Sequence, residues 1–147
     1  MLSKKTKYAL NALLHLARKP EAGPCLTAEI AAAERIPQKF LENILLTLRN
    51  AGILQSRKGR GGGYSLLKQP SEVPLADVMR LFQGPIAMIK CVSRNYYERC
   101  EECRDEQVCG IRNVMQEVHA HTLMVLENTT LQQLIERESK LISDLPS

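Results

Sequence analysis

The sequence predicts a mainly α-helical chain with a small β-hairpin, arranged as a winged helix-turn-helix plus a long dimerisation helix. Three observations predict it. Between Thr27 and Leu67, two helical stretches separated by a turn run into two short strand-like segments joined by a glycine-rich tip. The composition is aliphatic, rich in Leu and Ala with no Trp and only two Phe, which favours helix over strand. From Gly110 to Glu127, Ile111, Met115, Val118, Thr122 and Val125 recur at alternating spacings of four and three, a seam of period 3.5.

Ser3 to Arg18 reads as an amphipathic helix with Ala9, Leu13, Leu16 and Ala17 on one face. Lys4, Lys5 and Lys7 crowd its start against the helix dipole. A nearby phosphate would offset that cost; solvated surface lysines are the alternative. Lys19 to Pro24 is a loop, and Cys25 alone after it reads as small buried filler. Thr27 to Glu34 forms the next helix, with Thr27 as its expected cap. Ile36-Pro37 restarts the chain, and Phe40, Leu41, Ile44, Leu45 and Leu48 fall on one face of the following helix. Ala51-Gly52 ends it. Ile53–Arg57 and Tyr64–Leu67 are the expected strands, around the tip Lys58-Gly-Arg-Gly-Gly-Gly63.

Pro74 opens a helix carrying Leu75, Val78, Met79 and Phe82, which Gln83-Gly-Pro85 stops. Ile86 to Ile89 has no secure assignment, and residues 91–109 read as a loop. Thr130 and Gln133 form a capping box for the last helix, whose apolar side is Leu131, Leu134, Ile135, Leu141 and Ile142. The expected division is a winged helix-turn-helix domain at 1–84, then a cysteine loop and dimerisation helix region at 85–147.

Charge is divided along the chain. Residues 1–70 hold twelve Lys and Arg against four Asp and Glu, and residues 71–147 hold eight against twelve. A basic first half suits a nucleic-acid partner; an acidic second half suits sensing or assembly. A helix-turn-helix places its second helix in the major groove, and a basic wing can lie on phosphates or in the minor groove. The candidate DNA-contacting residues are Thr27, Gln38, Lys39, Phe40, Glu42, Asn43, Arg49, Arg57, Lys58, Arg60 and Tyr64. The expected partners are double-stranded DNA with a pseudo-palindromic operator and a second copy of the chain, paired through the 111–125 seam.

Four of the five cysteines fall within nineteen residues, spaced Cys91-x8-Cys100-x2-Cys103-x5-Cys109. Four thiolates can close on zinc or hold an iron–sulfur cluster, and Cys-x2-Cys also suits a redox dithiol. Spacing alone does not separate these. An odd count clustered in an acidic loop argues against a secreted disulfide framework. No apolar run approaches a membrane span. No phosphate loop, serine triad order or His-Glu-x-x-His appears, so no enzyme is expected. The expected location is the cytoplasm.

Ile36-Pro-Gln-Lys-Phe-Leu-Glu-Asn-Ile-Leu45, Leu48-Arg49, Ala51-Gly-Ile-Leu54 and Arg57-Lys-Gly-Arg-Gly-Gly-Gly-Tyr64 resemble the Rrf-two family of bacterial transcription regulators. The resemblance runs from Ser3 to about Leu134. It implies a homodimeric DNA-binding repressor or activator, often with an iron–sulfur cluster. Cluster-binding members place three cysteines just before the long helix. On that pattern Cys103 and Cys109 match the last pair, and Cys91 matches the first cysteine by position. This chain departs from it in a longer Cys91–Cys103 interval and in the extra Cys100. Some relatives carry a ligand histidine where Arg112 stands, and others an acidic residue where Lys7 stands. Cys100 is therefore the expected fourth ligand.

The resulting reading is a homodimeric regulator sensing redox, iron or nitrosative state through a cluster of unspecified type. The alternatives are a regulator with a structural zinc or a thiol switch and no metal, or, in a different class, a cluster carrier.

Overall fold

The computed structural model describes residues 2–147. Among these, six α-helices and one antiparallel hairpin follow in the order α1 (Lys4–Arg18), α2 (Thr27–Glu34), α3 (Gln38–Asn50), β1 (Leu54–Arg57), β2 (Gly63–Leu66), α4 (Leu75–Gln83), α5 (Gly110–Asn128) and α6 (Leu131–Ser143). This is the mainly helical, winged arrangement predicted.

Helix α1 starts where Ser3 caps it: the Ser3 hydroxyl accepts the Thr6 N–H at 3.1 Å. Its predicted face, Ala9, Leu13, Leu16 and Ala17, is buried. Leu13 meets Ile30 of α2, Leu41, Ile44, Leu45 and Leu48 of α3, Leu54 of β1 and Val78 of α4 in one aliphatic core. Each such residue contributes roughly 1.5–3 kcal/mol on full burial. Leu131, Leu134 and Ile135 of α6 return to the same core, and Arg18 pairs with Glu138 at 2.9 Å. The last helix therefore packs against the first. The capping box of Thr130 and Gln133 fixes its start.

Several local expectations are corrected. Thr27 is the first residue of α2 and not its cap; Leu26 occupies that position with no side-chain acceptor. The Glu29 carboxylate reaches back to accept the Leu26 N–H at 3.1 Å, while the Glu29 and Ile30 N–H groups donate to the Leu26 carbonyl. Helix α2 ends on Arg35, which has a left-handed φ of 54° without a glycine to mark it. Pro37 precedes α3 as its cap residue instead of opening its first turn. Both strands begin one residue away from their expected starts, and Ile53 goes into the core. Leu41, Ile44, Leu45 and Leu48 are buried, but Phe40 is 59% exposed. In α6, Leu141 and Ile142 are exposed, because the helix runs past the core it caps. Residues 86–89 form no regular element.

Cys25 does more than fill space. Its backbone pairs with Tyr64, each N–H donating to the other's carbonyl at 2.8 Å. The hairpin is thus fastened on both sides, to β1 within the wing and to the chain before α2.

Candidate nucleic-acid interface and cysteine pocket

The candidate DNA-contacting residues lie on α3 and the wing, with Thr27 at the start of α2. Core burial of Leu41, Ile44, Leu45 and Leu48 leaves Gln38, Lys39, Phe40, Glu42, Asn43 and Arg49 of α3 exposed. Arg57, Lys58 and Arg60 are exposed along the wing, while Thr27 and Tyr64 are half-buried at its base. Arg49 reaches the wing through its contact with the Ser56 hydroxyl at 3.5 Å. The chain turns at Gly59 and Gly61 with φ of 88° and 73°, a conformation open to glycine.

Gly63 has a stricter role. Its φ is 138°, and a Cβ there would stand 2.3 Å from the Cys25 carbonyl oxygen. Gly63→Ala is expected to break the Cys25–Tyr64 pairing and cost roughly 1–3 kcal/mol. Amide exchange at Tyr64 and thermal unfolding would register it. Unaltered protection at Tyr64 would show that the wing is held some other way.

The four loop cysteines line one pocket of about 420 Å³ with Ile89, Val108, Ile111, Arg104 and Arg112. Cys91 is buried in a 3-10 turn after α4, Cys103 and Cys109 are half-buried, and Cys100 is exposed at the rim. Cys109 is the cap of α5, and its sulfur accepts the Arg112 N–H at 3.4 Å. A hydrogen bond with Cys91 pushes the Cys100 thiol above its ordinary value, aided by burial and nearby negative charge. Arg99 ties the loop by donating to the carbonyls of Cys103 and Arg104, both at 3.2 Å. Among the described residues, no three His, Cys, Asp or Glu side chains group closely enough to hold a single metal ion. The thiols ring a space instead.

The stripe of α5 is divided. Leu123 is buried, with His119 and Leu126 half-buried. Met115 and Thr122 of the predicted seam are half-buried with them, whereas Ile111, Val118 and Val125 are exposed, together with Val114. Arg80 of α4 and Arg94 of the loop both reach Glu127 near the end of α5, at 2.8 and 3.6 Å. The Arg80 bond is the main cause of a lowered Glu127 carboxyl pKa. The sequence offered no signal for this link, since its members lie far apart in the chain. Among the described residues, no helix is long and apolar enough to cross a membrane.

Comparison with known proteins gives consistent results. Residues 2–137 match the model of the Rrf2 family, described as an iron-dependent transcriptional regulator. The chain is 42% identical over 150 residues to a Rhodobacter capsulatus protein named as an rrf2-like HTH-type transcriptional regulator, covering 98% of this chain and all of the relative. It is 31% identical over 142 residues to the HTH-type transcriptional regulator NsrR of Geobacillus kaustophilus, covering 97% and 94%. The solved structure of CymR, the global cysteine regulator of B. subtilis, superposes with a TM-score of 0.77 at 28% identity, covering 93% of this chain and 97% of that one.

Proposed function

The chain belongs to the Rrf2 family of transcriptional regulators, and from that premise we propose that it is a homodimer whose DNA affinity is set by an iron–sulfur cluster in the cysteine pocket. The observation that carries this reading is the placement of four thiols in one pocket at the N-terminus of α5, the helix that also exposes an apolar stripe. The donor set fits a cluster: soft sulfur ligands and apolar walls from Ile89, Val108 and Ile111, with Arg104 and Arg112 balanced by Glu102 and Asp105 around the pocket. Cys91, Cys103 and Cys109 would hold the cluster, with Cys100 as the fourth ligand. Cys100 would serve there as its thiolate, the ligand form of cysteine. A cluster bound there would supply redox and small-molecule reactivity.

The protein's own residues supply the response. Cys91 follows α4 and Cys109 caps α5, so ligation at both would tie these two helices. The end of α5 is already tied to α4, because the Leu75 N–H donates to the Thr129 carbonyl at 2.8 Å. Fixing both ends sets the position of α5 against the DNA-reading unit. In a dimer built on α5, that position sets the spacing of the two α3 helices and shifts the population competent for the operator. A second reading, a regulator working through thiols without metal, draws support from the placement of Cys91 and Cys100 on the lining of one pocket, with both thiols free.

The DNA half of the proposal is tested with duplexes selected by the protein from a random pool. Arg60→Ala is expected to weaken binding by roughly 1–3 kcal/mol if Arg60 reads a base edge. If it touches phosphate, binding falls evenly across sequences and the salt slope flattens by about one. Glu42→Ala should instead relax preference at one base pair, since a carboxylate can accept from a cytosine amino group. Arg60→Ala binding unchanged at every salt concentration would remove the wing from the interface.

A further inference from the structure

Helix α3 has two unlike flanks. With Leu41, Ile44, Leu45 and Leu48 turned into the core, a pitch of 3.6 residues puts Lys39 and Asn43 on the outer face. Glu42 and Arg49 lie on one flank. Phe40 and Thr47 lie on the other, seven residues apart and so nearly in line. That second flank is apolar. Phe40 is 59% exposed, and the Thr47 hydroxyl is turned back to donate to the Asn43 carbonyl at 2.9 Å. Phe40 is also the third residue of the helix, in the N-terminal turn that meets base edges in helix-turn-helix proteins. An exposed phenylalanine leaves apolar surface that a partner can cover favourably.

Resting on the reading of α3 as the DNA-reading helix, we propose that Phe40 is a specificity residue that packs on the 5-methyl group of a thymine in each half-site. The major groove offers an apolar ring one distinctive target, the thymine methyl. Lys39 stands beside this flank on the outer face, while Arg49, on the far flank and in contact with Ser56 of the wing, and the exposed Arg57, Lys58 and Arg60 extend the positive surface that brings a phosphate backbone to the helix. A lone aromatic on a helix whose exposed faces carry Lys39 and Arg49 is a poorer seat for a second protein chain than for DNA. Glu42 would make a hydrogen-bonded contact from the opposite flank, so the helix would read an apolar feature and a polar one side by side.

The experiment uses the full-length protein and a duplex it selects from a random pool. Each thymine is replaced singly by deoxyuridine, which removes only the methyl group. Dissociation constants are measured at one salt concentration for the wild type, Phe40→Leu and Phe40→Ala. At one thymine, or a symmetry-related pair, the wild type should lose about fourfold per methyl, the worth of one buried methyl group. Phe40→Ala should bind the parent duplex at least that much more weakly and be indifferent to the methyl at that position. Phe40→Leu should keep part of the sensitivity. Because Phe40 lies outside the core, matched unfolding curves should confirm that the variants fold. A flat methyl scan, or the same methyl sensitivity in Phe40→Ala, overturns the assignment, even if Arg60 and Glu42 variants still alter binding. If selection recovers no preferred duplex, the role of α3 and this inference fall together.

Discussion

Val118→Glu is expected to yield monomers that no longer retain operator DNA. Val118 is 38% exposed and lies between Ile111 and Val125, which are 69% and 54% exposed on the same side of α5. Val118 borders a groove with Met79, Ile86 and Met88, Ile111 and Val125 stand largely exposed on either side of it, and Leu123 across the helix is buried. In the proposed dimer a two-fold axis brings the same stripe from both chains together, so one substitution buries two carboxylates close to each other. Breaking an interface with unpaired charge costs roughly 3–5 kcal/mol, enough to raise the dimer dissociation constant by more than a hundredfold. The substitution falls outside the core, so the monomer should keep its helical content. Light scattering and circular dichroism on the same sample test both halves. A folded Val118→Glu protein that remains dimeric would show that assembly uses another face.

Cys109→Ala is expected to remove the cluster entirely and leave the DNA-reading unit folded. Cys109 occupies two roles at once, a pocket-lining thiol and the cap of α5. Its loss should therefore also cost on the order of 1 kcal/mol of helix-start stability. Cys91→Ala and Cys103→Ala should lose bound iron to the same degree. Cys100→Ala separates two accounts of the extra cysteine. As fourth ligand its removal should lower iron and sulfide and change the absorption spectrum; full iron with a wild-type spectrum would place the fourth ligand elsewhere. The core residues Leu13, Leu45 and Leu54 lie outside the pocket, so the unfolding curves of all four variants should keep their main transition.

The helices and the wing were legible because their signals are local. Aliphatic spacing marked α1 and α3, the Thr130–Gln133 box marked the start of α6, and the glycine run marked the hairpin tip, whereas Ser3, read as the first helical residue, is the cap of α1. Where the reading failed, a tertiary choice had overridden a local one. Thr27 is a good cap by chemistry, but the extended backbone of Leu26 starts the helix one residue earlier and leaves Glu29 to accept its N–H. Phe40 is apolar and adjacent to the buried stripe, yet a helix of 3.6 residues per turn carries it off the core face. The pairing of Cys25 with Tyr64 and the meeting of Arg80 and Arg94 at Glu127 join positions tens of residues apart, which no window along the chain relates. The cysteine spacing announced a site, but only the fold brings the four thiols round one pocket and sets Cys109 at a helix start.

The most direct test of the central proposal is the iron, sulfide and zinc content of the full-length protein purified and reconstituted without oxygen, measured beside its absorption spectrum. The account predicts iron and acid-labile sulfide in equal amounts, with visible charge-transfer absorption and less than stoichiometric zinc. Stoichiometric zinc without sulfide, or four free thiols with no metal after reconstitution, would contradict it.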